Sequence, residues 1–192
     1  ICLAGYVLFY IMIAFSQIYA KSAPTVSEAG YAMGLGFSPQ IFTALLMCSA
    51  ISLAITIAIS GKYIDIVGRR IWLIWTTVGV ALFGLVLPYF LENGTTLSLF
   101  WFLIIGMGLI GMGYGPLASF LPELFPTHAR YSGASLTYNI AGLFGASVAA
   151  IIALPLNANY GLKGVGIYLT LNAVLSLIGL WFITETRDRQ LL

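Results

Sequence analysis

The residues able to do chemistry in this chain are few, and most gather in two short segments. The first is Gly61-Lys62-Tyr63-Ile64-Asp65-Ile66-Val67-Gly68-Arg69-Arg70. Its glycines permit a tight turn. Asp65 can accept hydrogen bonds from a helix N-terminus or pair with an arginine. Arg69 and Arg70 can anchor the next helix at a charged lipid face. The second segment is Pro122-Glu123-Leu124-Phe125-Pro126-Thr127-His128-Ala129-Arg130-Tyr131-Ser132-Gly133. Glu123 and Arg130 are placed to pair with Asp65, Arg69 or Arg70. Such a cluster could close neighbouring helix ends in one state and open in another. The plainer reading is two solvated turns with ion pairs worth about 1 kcal/mol or less. The demanding spacing Gly-x3-Asp-x2-Gly-Arg-Arg argues against it for the first segment.

A second set of polar groups lies inside apolar stretches. Tyr6, Tyr10 and Gln17 are four and eleven residues apart. At about 100° per residue they fall within about 40° of one another on a helix. Hydrogen-bonding groups embedded in apolar sequence should face protein or water rather than acyl chains. Tyr114 and Asn139 are further candidates for the same cavity. The competing reading is helix–helix hydrogen bonding, or tyrosine at a membrane interface. No arginine or lysine inside these stretches announces an anionic ligand, and no aromatic cage for a quaternary amine is legible.

Several other patterns carry no chemistry. Gly106-Met107-Gly108-Leu109-Ile110-Gly111 fits GxGxxG, but no strand precedes it, so it reads as close helix packing. Asn93-Gly94-Thr95 reads as a turn. His128 is the sole histidine and reads as an exposed loop residue. Cys2 and Cys48 read as small buried hydrophobes. There is no HExxH, no GxSxG, no aspartate pair inside an apolar stretch and no metal-ligand cluster, so the chain is not expected to be an enzyme or to hold a metal or cofactor. No basic stripe suggests nucleic acid.

The elements that position these groups follow from composition. Of 192 residues, 60% are hydrophobic and 7% charged, and the mean hydropathy is +1.01. So little charge cannot cover a water-facing surface, but it suits a lipid-facing one. Apolar stretches of spanning length fall at roughly 1–20, 39–60, 71–91, 97–121, 133–155 and 164–184. The expected fold is an all-α membrane bundle of six transmembrane helices occupying residues 1–192, because a bilayer offers open backbone groups no partner. Taking Ile1 as cytoplasmic, Lys62, Arg69, Arg70, Arg130, Arg187 and Arg189 lie inside, and only Lys21 and Lys163 lie outside. This satisfies the positive-inside rule and puts both ends in the cytoplasm. Every charged residue fits a loop or a helix end, so no span carries a central charge. Ile1 already lies in an apolar run, without an initiator Met or a basic leader, which reads as the interior of a longer polypeptide.

The segment from Gly61 to Arg70 resembles the signature loop of the major facilitator superfamily. The second segment, continuing as Tyr131-Ser132-Gly133-Ala134-Ser135-Leu136-Thr137-Tyr138-Asn139, resembles that superfamily's metabolite:proton symporter branch. Leu8-Phe9-Tyr10 and the tail Thr184-Glu185-Thr186-Arg187 are similar to it as well. Ile66 and His128 stand where basic residues are usual, and Leu117 where glutamine is frequent. The resemblance implies the last six of twelve helices of a proton-coupled carrier in a bacterial inner membrane. Such a carrier takes up a small metabolite, an organic acid or osmolyte, by alternating access. The substrate would sit at mid-membrane between two six-helix halves. The missing amino-terminal half would supply the proton-coupling carboxylate. Asp65 and its neighbours would then gate the cytoplasmic side. The alternative is a self-contained six-helix protein acting as a homodimeric channel, exporter or scaffold.

Overall fold

The computed structural model describes residues 2–183, with the side chain of Asp65 outside that description. Five helices are long and apolar enough to cross a membrane. They are α1 (Leu3–Lys21), α2 (Pro39–Val67), α3 (Arg69–Glu92), α4 (Thr96–Glu123) and α5 (Arg130–Trp181). Among the described residues the extended chain pairs only at an isolated antiparallel bridge between Val26 and Ala32.

Local chemistry sets most helix boundaries. α2 starts at Ser38, whose hydroxyl accepts from the Ile41 amide at 3.4 Å, with Pro39 in the first turn, where its missing donor is no loss. α4 starts the same way at Thr95, which accepts from the Ser98 amide at 3.2 Å. Gly68, at φ 100°, makes the corner between α2 and α3. The helix of α2 runs on through residues 61–67, so Gly61 and Asp65 lie in its last turns rather than in the expected loop. Gly61 makes no turn there because Gly68 alone supplies the positive φ.

Two spans were expected at 133–155 and 164–184; α5 covers both in 52 residues, as two helical arms that meet at a non-helical Gly161. At 1.5 Å per residue it would be about 78 Å long if straight, far beyond a hydrocarbon core of about 30 Å. It is not straight. Gly161 sits at φ 69°, ψ −172°, a conformation essentially confined to glycine. The Gly145 backbone lies against Leu3 and Tyr6, and the Ser176 hydroxyl accepts from the Ala4 amide at 3.0 Å. Both arms of α5 therefore meet the first turns of α1, while Gly161 between them meets the Tyr31 ring. The break falls inside the expected linker at 156–163, although a single glycine rather than a polar loop carries it. Residue 184 lies outside the described residues.

Packing is closest along two glycine seams. On α4, Gly108, Gly111 and Gly115 face Ser52, Thr56 and Ser60 of α2. A Cβ on Gly111 would meet the Leu53 carbonyl oxygen at 2.6 Å. Ser52 donates to the Ile104 carbonyl at 3.0 Å across this seam. The second seam joins α3 to the later arm of α5, where a Cβ on Gly84 would lie 2.8 Å from the Gly166 carbonyl oxygen. Thr170 donates to Ala81 there at 3.0 Å. In lipid, apolar surface gains little by leaving the solvent, so close backbone approach and interhelical hydrogen bonds hold helices together. α1 runs through the centre of the core, with Val7, Leu8, Ile11 and Met12 fully enclosed.

Candidate functional site

A cavity of about 240 Å³ penetrates between α1, α2, α3 and α4, and Tyr138 of α5 closes one side. Its lining is mostly aliphatic and contains no Asp, Glu, Lys or Arg. Thr76 and Thr77 of α3 face it, but their hydroxyls donate to the Trp72 and Leu73 carbonyls of their own helix at 3.0 and 2.7 Å. Four aromatic residues line the wall, Tyr6 and Phe9 from α1, Tyr114 from α4 and Tyr138 from α5. The rings of Tyr6 and Tyr138 stand nearly perpendicular, at 83°, with centroids 6.4 Å apart. A Cβ on Gly142 would stand at ordinary contact distance from the Tyr6 ring, 3.7 Å. Tyr114 is 55% exposed, so the cavity reaches the surface of the bundle beside it.

The structure divides the cavity residues expected from sequence. Tyr6 and Tyr114 line this cavity, whereas Tyr10, Gln17 and Asn139 do not. Tyr10 packs edge-on against Phe9. Gln17 lies half-buried farther along α1. Asn139 is exposed and donates to the Ser135 carbonyl at 2.8 Å. The π-helical turn at Ile11–Phe15 shifts the angular register between Tyr10 and Gln17 and takes Gln17 off the stripe, whereas Tyr10 precedes that turn and packs on Phe9 outside the lining. Tyr138, next to Asn139, went unnoticed. Its only signal was membership of the stretch Tyr131–Asn139. Residues 6, 114 and 138 are distant in sequence and reach one cavity only through packing.

Arg69, Arg70 and Glu123 collect at one end of the bundle, while Glu92 closes α3 at the other. Arg69 at the start of α3 forms an ion pair with Glu123 at the end of α4. This contact puts residues 61–70 and 122–131 on the same side. Arg70 donates through Nε to the Leu180 carbonyl at 3.0 Å and through Nη2 to the Trp181 carbonyl at 2.9 Å. These carbonyls end α5, where the regular helical donors run out and Leu180 accepts only from the final turn, at 3.4 Å from the Ile183 amide, so the guanidinium caps the helix and complements its dipole. Gly68 is buried at the corner and Gly61 is exposed. Arg130 does not join an ion pair among the described residues, and its Nε is enclosed without a hydrogen-bond partner. The side chain of Asp65, and the tail with Arg187 and Arg189, lie outside the described residues. Cys48 is exposed rather than buried, because α2 leaves most of its surface uncovered.

Comparison with known proteins adds family information. The family described as sugar (and other) transporter matches residues 23–192. A Haemophilus influenzae protein named for metabolite transport is 90% identical over 191 residues, which is 100% of this chain and 43% of that protein. The inner membrane metabolite transport protein YhjE of Escherichia coli K12 is 40% identical over the whole chain, covering 42% of its own length. A proline/betaine transporter of Salmonella typhimurium is 32% identical over 135 residues, 69% of this chain and 27% of that protein. This chain therefore spans under half the length of the relatives it matches. No solved structure matches it.

Proposed function

Because the chain belongs to the sugar (and other) transporter family of the major facilitator superfamily, we propose that it forms the carboxy-terminal, six-crossing half of a secondary active transporter for a small metabolite. The sixth crossing comes from the break at Gly161, with the two arms of α5 antiparallel. Their shared contact with the first turns of α1 supports this reading. Residues 1–192 act as one transmembrane bundle, and the uncovered face of α2 and the mouth beside Tyr114 turn toward the remaining half. Both ends of the segment face the cytoplasm of a bacterial cell, in keeping with Lys62, Arg69, Arg70 and Arg130 at one end of the bundle and Lys21, at the end of α1, and Lys163, beside the Gly161 break, at the other.

The single observation that carries the functional reading is the charge-free cavity among four helices whose ionic contacts lie at one end. A solute site in the membrane and a breakable latch at its rim are the parts that alternating access requires. In the proposed cycle, Asp65, Arg69, Arg70 and Glu123 hold the cytoplasmic ends of α2, α3 and α4 together while the carrier is open outward. Arg130 joins them at the start of α5. Release of the cluster opens the inward path. Protons drive uptake through a carboxylate outside this segment, since none lies inside these spans. The metabolite, an organic acid or osmolyte, binds between the halves. The name of the proline/betaine relative supports the osmolyte class.

Uptake by the full polypeptide in proteoliposomes, under an inward proton gradient and again with a protonophore, tests the reading. Gradient-dependent accumulation is expected. Accumulation that ignores the protonophore overturns proton coupling. Asp65→Asn should lower uptake at least tenfold while inserting normally; unchanged uptake removes the latch. Residues 1–192 transporting alone, as a detergent-stable dimer, would favour the self-contained homodimer instead.

A further inference from the structure

We propose that Gly5 of α1 and Gly113 of α4 set the size limit of the carried solute by keeping two parts of the cavity wall clear of side chains. The inference rests on the carrier reading above and assigns a source of specificity within that site. Most other glycines of these helices are held in place by a neighbour. A Cβ on Gly106 would run into the Met12 side chain, and one on Gly111 into the Leu53 carbonyl oxygen at 2.6 Å. Gly115 lies against Ser60 of α2, and Gly84 against the Gly166 backbone. Each lets two helices approach closely.

Gly5 and Gly113 have no such neighbour. A Cβ on Gly5 would find no atom within 4 Å. One on Gly113 would stand 3.6 Å from the Thr76 methyl, an ordinary contact. Neither has a positive φ, so neither backbone requires glycine. Glycine in a helix is less stable than alanine there, and no close packing offsets that loss. Both residues line the cavity. Gly61 also has open space around it, but it stands on the exposed last turns of α2, outside the lining. The common property of Gly5 and Gly113 is the room they leave in the cavity. In a space of about 240 Å³ that room matters, because a branched side chain at either position would compete with the solute for it. The tyrosines of the lining can select a solute by hydrogen bonding. The two bare stretches of backbone select it by bulk.

The test measures uptake by the full polypeptide in proteoliposomes, with a panel of labelled organic acids, amino acids, betaines and sugars. Each probe that the wild type accumulates is compared, by competition, with homologues larger and smaller by one methyl group. Gly5→Ala and Gly113→Ala should penalise the larger member of each pair. Gly5→Val and Gly113→Val should widen the ratio at least about tenfold, the discrimination that one surplus methyl commonly carries in a tight pocket. Both alanine variants should melt with the wild type, since the added methyl meets open space or ordinary contact. Equal weakening of large and small homologues, or a lower melting temperature for Gly5→Ala, assigns these glycines to packing against the other half and overturns the size limit. A ratio unchanged in every variant overturns it as well. If the wild type accumulates members of the panel and the ratio does not move, only the size limit fails. If it accumulates none of them, the carrier reading fails too.

Discussion

The seam between α2 and α4 and the wall between α1 and α5 are built on opposite plans. Along the seam, Gly108, Gly111 and Gly115 bring backbone against small hydroxyl side chains, with Ser52 donating across the gap. At the wall, contact runs through the large rings of Tyr6 and Tyr138, and a Cβ on Gly142 would find ordinary contact distance. Even where that wall is close, at Gly145, the neighbours are the Tyr6 Cβ at 2.8 Å and Leu3. The two π-helical turns of the structure, Ile11–Phe15 and Gly142–Ser147, also belong to α1 and α5. Such turns recur at functional sites because they re-aim side chains at little cost in backbone bonding. The difference teaches that small residues fix the scaffold, while aromatic residues wall the cavity, whose lining includes no residue of either π-helical turn.

The largest expected effect breaks the scaffold side of this contrast. Gly111→Val places branched carbon against the Leu53 carbonyl and Thr56. Overpacking of this kind costs about 3 kcal/mol or more where backbone cannot retreat. Fluorescence-detected size-exclusion should show loss of the folded peak; a variant melting like the wild type would mean the seam is loose. Gly161→Ala comes next. It forces a side chain into a glycine conformation and against the Tyr31 ring, costing about 1–3 kcal/mol. Adding Tyr31→Ala should recover only part of the lost melting temperature, since the backbone strain stays. Full recovery would place the whole effect in the ring contact. The smallest effect sharpens the cavity side. Gly142→Ala adds a methyl at 3.7 Å from the Tyr6 ring, so the stability should stay within about 0.5 kcal/mol. A loss as large as that of Gly111→Val would erase the distinction between the two regions.

Much of the scaffold was legible before any coordinates. Long apolar stretches, capped at Ser38 and Thr95 and separated at Gly68 and Asn93–Gly94, mark helices because hydropathy and turn chemistry act locally. The ends of α3 and α4 match the expected spans to within about two residues. The reach of α2 through residues 61–67 was missed, since Gly61 looks like a turn and takes helical geometry instead. In the cavity, the helical-wheel stripe found Tyr6 but extended it to Tyr10, which packs on Phe9 outside the lining, and to Gln17, whose register the π turn after Tyr10 shifts.

By itself the sequence determined that apolar helices of membrane-spanning length form and that charge is confined to their ends, because each follows from side chains acting on their own neighbourhood. Only the tertiary structure decided which helices meet. Gly161 folds α5 back on α1, Arg69 finds Glu123, and Tyr138 arrives beside Tyr6. Those partners lie tens to more than a hundred residues apart, and their meeting depends on how closely glycine lets whole helices approach.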